Sequence, residues 1–167
     1  NVVFSQVNNA ANFFNALNHV LDEDPNEIIY FVEDDYLHRP NIESVIAEGL
    51  EKADYITLYD HPDKYQKEYN FGENCKVIKT RQTHWRTTIS TCMTFAAKVK
   101  TLREDFDIFE QFTKDSHPHD HQLFSALKKK DRVLLVCIPG MAMHMDMTYP
   151  LQTPNPAEVL EEWALDI

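Results

Sequence analysis

Three carboxylates in a row, Glu33, Asp34 and Asp35, close the apolar run Ile28-Ile29-Tyr30-Phe31-Val32 and are followed by Tyr36. The run is apolar on both faces, which is the pattern of a strand buried inside a sheet. In open α/β sheets, ligands bind beyond the carboxyl ends of such strands. Three adjacent anions repel one another and raise each other's proton affinity. A divalent cation removes that penalty, and hard Mg2+ or Mn2+ prefers oxygen ligands. The competing reading is a water-exposed acidic turn that only ends the strand. A second chemical segment is Gln82-Thr83-His84-Trp85-Arg86-Thr87-Thr88. The face of Trp85 suits stacking on a sugar ring in an acceptor groove, and Arg86 suits contact with a diphosphate. A Trp packed on the domain surface is the bland alternative. Tyr59, Asp60 and His61 end another strand on the same expected ligand side, and Asp60 is expected to shape the substrate pocket.

The elements that must position these groups follow from periodicity. Val7, Ala10, Ala11, Phe14, Leu17 and Leu21 recur at helical spacing, so a helix is expected from Ser5 to Leu21, ended by Pro25. Ile28 to Val32 and Tyr55 to Tyr59 read as strands. Between them a helix carries Ile42, Val45, Ile46 and Leu50 and starts near Pro40. This β–α–β order predicts a right-handed crossover. Residues 60 to 74 form a long loop of the kind that is often functional. Cys75 to Thr80 and Ile89 to Ala96 are expected strands joined by residues 81 to 88. A helix is expected over 98 to 114, an amphipathic helix over His119 to Lys130, and a strand over Arg132 to Ile138. The tail from Met141 is expected to be irregular, with a short helix near Ala157 to Leu165.

With these positions in hand, Phe31-Val32-Glu33-Asp34-Asp35-Tyr36 resembles the Asp-x-Asp motif of GT-A-fold glycosyltransferases, in a Glu-Asp-Asp form similar to family 2 members. Tyr59-Asp60-His61-Pro62-Asp63-Lys64-Tyr65 and Ser90-Thr91-Cys92-Met93-Thr94-Phe95 resemble segments that follow the motif in bacterial and viral-type relatives. The likeness spans about residues 8 to 146, at the level of the superfamily. It implies an α/β fold with a GT-A-like mixed, mostly parallel sheet flanked by helices, in a single domain over residues 1–167. GT-A domains begin with a strand and loop that hold the nucleotide base, upstream of the first long helix. This chain begins at about that helix, so the resemblance implies an N-terminally incomplete domain. Carried over, Asp35 is the metal ligand, and Glu33 and Asp34 assist on the donor side. A late His often adds a metal ligand, and His144 in Pro139-Gly140-Met141-Ala142-Met143-His144-Met145-Asp146 fits by order, with an imidazole suited to Mn2+. A core or surface His among softly packing methionines is the alternative.

The stretch Asp115-Ser116-His117-Pro118-His119-Asp120-His121 opens a predicted helix. Inverting GT-A enzymes place there a carboxylate that deprotonates the acceptor hydroxyl, and Asp120 matches best, ahead of Asp115. Helix capping alone also accounts for an Asp at such a position. The same His-rich stretch is similar to the zinc signature of metallo-β-lactamase-fold hydrolases, one residue short. The implied function is metal-dependent transfer of a sugar from a nucleotide-sugar donor to a glycan or other hydroxyl acceptor, with inversion, using Mn2+ or Mg2+. A zinc-dependent hydrolase built on His117, His119, Asp120 and His121, and a non-catalytic carbohydrate-binding domain, are the alternatives.

Composition narrows the partners. The chain has 167 residues, 43% of them hydrophobic, enough for one domain with a real core. Its formal net charge of −11 argues against binding the phosphate backbone of nucleic acid and against docking on an anionic membrane. An anionic ligand remains compatible when a cation lies between. No apolar run reaches the roughly 20 residues of a membrane span, and no signal peptide is visible. Three cysteines without a close pair point to a reducing, cytoplasmic setting. Three glycines, Gly49, Gly72 and Gly140, cannot build a glycine-rich phosphate loop.

Overall fold

The structure, a computed structural model, describes residues 6–65 and 75–145. The expected tail helix and most of the 60–74 loop lie outside those residues. In chain order the elements are α1 (Asn9–Val20), β1 (Ile28–Phe31), β2 (Tyr36–His38), α2 (Ile42–Gly49), β3 (Tyr55–Thr57), a 3-10 turn (Pro62–Tyr65), β4 (Val77–Lys79), β5 (His84–Thr87), β6 (Phe95–Lys98), α3 (Val99–Glu104), α4 (Phe106–Phe112), α5 (Asp120–Lys129), β7 (Leu134–Ile138) and β8 (Ala142–His144).

Six strands form one sheet in the order β1-β6-β3-β7-β5-β4, and β2 pairs with β8 in a separate ribbon. Only β3 and β7 are parallel neighbours, and the other four pairings are antiparallel. The sheet is mixed, but the expectation of a mostly parallel one is corrected. Two features account for this: β4 and β5 are joined by a short turn, which allows only antiparallel pairing, and β6 enters between β1 and β3 running against both. Because β1 and β3 both run against β6, they share one direction with each other and with β7. The β–α–β unit read from sequence is therefore real, with β6 inserted between its two strands.

Strand residues alternate between two cores. Tyr55, Phe95 and Leu134 face one side with Phe13 and Leu17 of α1, Leu102 of α3, Phe109 of α4 and Leu123, Phe124 and Leu127 of α5. Ile56, Ala96 and Leu135 face the other side with Val45 and Ile46 of α2. Asn8 opens α1 by accepting a hydrogen bond from the Ala11 amide. The single helix expected over 98 to 114 is two helices. They part at Asp105, whose buried carboxylate is drawn to Tyr55, Lys130 and Arg132.

Trp85 is fully buried in the second core, its indole N–H donating to Thr80 Oγ1 at 3.0 Å. It cannot line an acceptor groove, which corrects the sequence-based reading. Gly49 makes room for it: a Cβ at residue 49 would lie 2.7 Å from Trp85 Cη2. Gly49→Ala is expected to cost about 1–3 kcal/mol of stability by overpacking, as read by urea unfolding. Among the described residues no helix is long and apolar enough to cross a membrane.

Candidate metal centre

The acidic triplet leaves β1 at its carboxyl end, and β3 and β7 end at the same pole because the three strands run in one direction. Main-chain bonds then knit the exit loops together. Met141 and Ala142 amides donate to the Leu58 carbonyl, at 2.9 and 3.1 Å, and the Arg39 amide donates to Met141. β2 follows the triplet directly and pairs with β8, which follows β7. Its register sets Tyr36 opposite His144, and the Met145 amide donates to the Asp35 carbonyl at 2.8 Å. An acidic loop and a distant histidine are thus locked together by backbone pairing rather than by flexible side chains.

His144 Nε2 lies 3.0 Å from Asp35 Oδ2, and Glu33, Asp35 and His144 each offer a ligand atom within 4.8 Å of the others. This is the one group among the described residues able to hold a metal ion. Two carboxylates and an imidazole make a hard, mixed oxygen–nitrogen donor set, compatible with Mn2+ and less selective for Mg2+. Asn9 on α1 donates to Glu33 Oε1 at 3.2 Å and steadies one arm of the group. The Tyr36 ring packs edge-on against His144 at 4.8 Å. Burial drives the Tyr36 hydroxyl far above its ordinary pKa, so it stays a neutral neighbour.

A cavity of about 580 Å³ opens beside the group, lined by Asn9, Asn12, Ala16, Met93 and the loop Val32 to Asp35. That volume is in the range of small-molecule sites. Among the described residues its lining contains carboxylates and amides but no Lys or Arg. Asn9 and Asn12 did not stand out in the sequence, and Met93 did so only as part of the Ser90–Phe95 segment. The only signal was two asparagines three residues apart on a helix, a spacing that puts them on one face.

The other candidate residues have internal partners. Arg86 is buried and its guanidinium meets Asp60 Oδ1 at 2.5 Å. The other Asp60 oxygen accepts from the Tyr65 hydroxyl, and the Tyr65 ring lies under Arg86. Burial alone would pull the Arg86 guanidinium down, but Asp60 and Tyr65 hold it above its ordinary value. Arg86 and Asp60 therefore neutralise each other, and neither lines the cavity.

Asp120 is also engaged. Its carboxylate accepts from the Thr91 amide at 2.8 Å, the Thr91 hydroxyl at 2.6 Å and the Met93 amide at 3.1 Å. Cys92 and Met93 stand in the left-handed region, with φ of 52° and 56°, and the Thr94 amide closes the turn on the Thr91 carbonyl. Left-handed backbone costs a side-chain-bearing residue about 1–2 kcal/mol. His119 pairs with Asp115 at 2.7 Å on the surface. Among the described residues His117, His119, Asp120 and His121 are not gathered into a ligand group: His119 pairs with Asp115, and Asp120 is directed to the 91–93 turn.

Compared with known protein families and with curated protein sequences, the chain matches no family model and no curated protein.

Proposed function

We propose that this chain is a metal-dependent glycosyltransferase domain of the GT-A type, moving a sugar from a nucleotide-sugar donor to a hydroxyl acceptor. The observation that carries the reading is the convergence of Glu33, Asp35 and His144 beside the cavity at the carboxyl end of the strands. Asp35 and His144 stand far apart in the chain, and the β2–β8 register, with the main-chain bond from Met145 to Asp35, brings them together. Asp35 is itself exposed, and what distinguishes it from a plain acidic turn is its backbone-fixed pairing with His144.

The lining of the cavity supports a metal requirement. Among the described residues, a diphosphate entering it meets Glu33, Asp34 and Asp35 and no basic side chain. An anion is held among anions only with a cation between them. When bound, Mn2+ or Mg2+ would neutralise the charge that develops on the departing diphosphate. Around it the chain's own groups have definable tasks. Asn9 orients Glu33. The β2–β8 pairing orients His144. Met93 and Val32 give the cavity part of an apolar wall. The proposal includes a cytoplasmic location and a carbohydrate acceptor.

A second reading, a non-catalytic carbohydrate-binding domain, is favoured by one observation: Arg86, Asp60 and Asp120 are all spent on internal contacts. A panel of UDP-, GDP-, dTDP- and CMP-sugars with Mn2+ separates the two. The transferase reading expects nucleotide release with at least one donor, dependent on Mn2+. Release from no donor, together with retained glycan binding, supports the second reading.

A further inference from the structure

We propose that Asp120 is a positioning residue, holding Cys92 and Met93 in the left-handed conformation and so setting the Met93 wall of the cavity. For its effect on catalysis the inference rests on the transferase reading; for its effect on the turn it does not.

The turn Thr91–Thr94 has both central residues at positive φ, the type I′ geometry that normally selects Asn and Gly. Here the central residues are Cys92 and Met93, whose Cβ atoms disfavour it. The adjoining sequence supplies no compensation. The compensation comes from the first residue of α5. An ionised carboxylate has about four acceptor positions, and three on Asp120 are filled by the turn's two amides and its hydroxyl. Those donors fix the segment just before β6 starts at Phe95. Met93 is thereby pressed into the main core while also lining the cavity with Glu33, Asp34 and Asp35.

The same geometry argues against Asp120 as the proton acceptor. Only one acceptor position, on Oδ2, is left for a proton, and taking it up would remove the negative charge that strengthens the three bonds the carboxylate accepts. The clamp would then loosen at every turnover. Strained backbone beside a ligand cavity persists only when its surroundings over-determine it, and Asp120 is the group that does so here.

Glycine tests this directly, since it adopts positive φ without strain. Asp120→Ala is expected to lower the melting temperature by about 3–8 °C and to raise the donor KM at least tenfold, with a smaller change in kcat. Cys92→Gly alone is expected to raise the melting temperature by a few degrees. The double variant is expected to recover at least half of the thermal loss and to return KM to within about threefold of the parent. Should Asp120→Ala not fold, Thr91→Val removes a single donor to Asp120 and takes its place in the same series. An unchanged melting temperature in Asp120→Ala overturns the proposal. So does a double variant that regains its melting temperature yet stays as inactive as Asp120→Ala, since a missing proton acceptor is not restored by Cys92→Gly. If the parent chain turns over no donor, the transferase reading fails by itself, and the thermal recovery alone decides whether Asp120 holds the turn.

Discussion

Asp105→Ala is expected to lower the unfolding free energy by about 3 kcal/mol, the largest stability loss foreseen for a single charged residue here. The carboxylate is fully buried where α3 meets α4. It accepts from the Tyr55 hydroxyl at 2.6 Å, Lys130 Nζ at 2.5 Å and Arg132 Nε at 2.8 Å. Removing it leaves the Tyr55 hydroxyl in the core without its acceptor and strips Arg132 of its best-buried partner. Arg132 keeps Asp54 and Glu104, which is why the loss stays near the lower end for a broken buried pair. Burial by itself would raise the Asp105 pKa, but the hydrogen bonds from Arg132, Lys130 and Tyr55 outweigh it and hold the carboxyl below its usual 3.8. A depressed folded pKa means the unfolded state binds the proton first. The contribution is therefore complete above pH 3.8 and fades as pH falls below it toward the folded value. Urea unfolding of parent and Asp105→Asn from pH 7 downward checks the sign: the gap between them narrows only at the acid end.

The second large effect is on metal binding. Parent protein is expected to gain about 2.7 kcal/mol of stability with Mn2+ at a hundred times its Kd, a rise of roughly 5–10 °C in melting temperature. Asp35→Asn is expected to gain none at the same concentration and to lose at least about 100-fold in Mn2+-dependent nucleotide release. Without metal, that variant is expected to match the parent within about 1 kcal/mol, because the Asp35–His144 contact is solvent-exposed and its loss is offset by relief of repulsion among the three acidic neighbours. A residue that costs nothing to remove until the ion is added is placed for binding rather than for folding. Thermal melts of both proteins, with and without Mn2+, measure all four states.

Much of this arrangement was legible in the chain. The apolar run ending in Glu33-Asp34-Asp35 announced a strand with carboxylates at its carboxyl end, but the expected burial inside the sheet is corrected: β1 is an edge strand, half-buried, and Val32 beyond it is exposed. α1, α2 and α5 followed from their apolar spacing. Asp35 and His144 were read as partners, and they lie together. Strand direction was not legible, since alternation of helix and strand says nothing of β6 slipping between β1 and β3. β5 was missed because His84-Trp85-Arg86-Thr87 looks polar. Arg86 is buried only because Asp60 stands opposite it, and no local pattern shows that partner. The expected strand from Ile89 to Ala96 proved to be a turn followed by β6, because Asp120, far along the chain, bends residues 91–93. β2 and β8 are three residues each, too short for any periodicity, yet their pairing builds the site.

The central claim is that Glu33, Asp35 and His144 hold a cation which joins the protein to a pyrophosphate. Crystals soaked with Mn2+ and UDP, GDP or dTDP, measured at the manganese absorption edge, test it most directly. The account predicts an anomalous peak within coordination distance of both carboxylates and of His144 Nε2, with diphosphate density on the cavity side. Nucleotide bound with no peak there, or a peak at any other group, contradicts it.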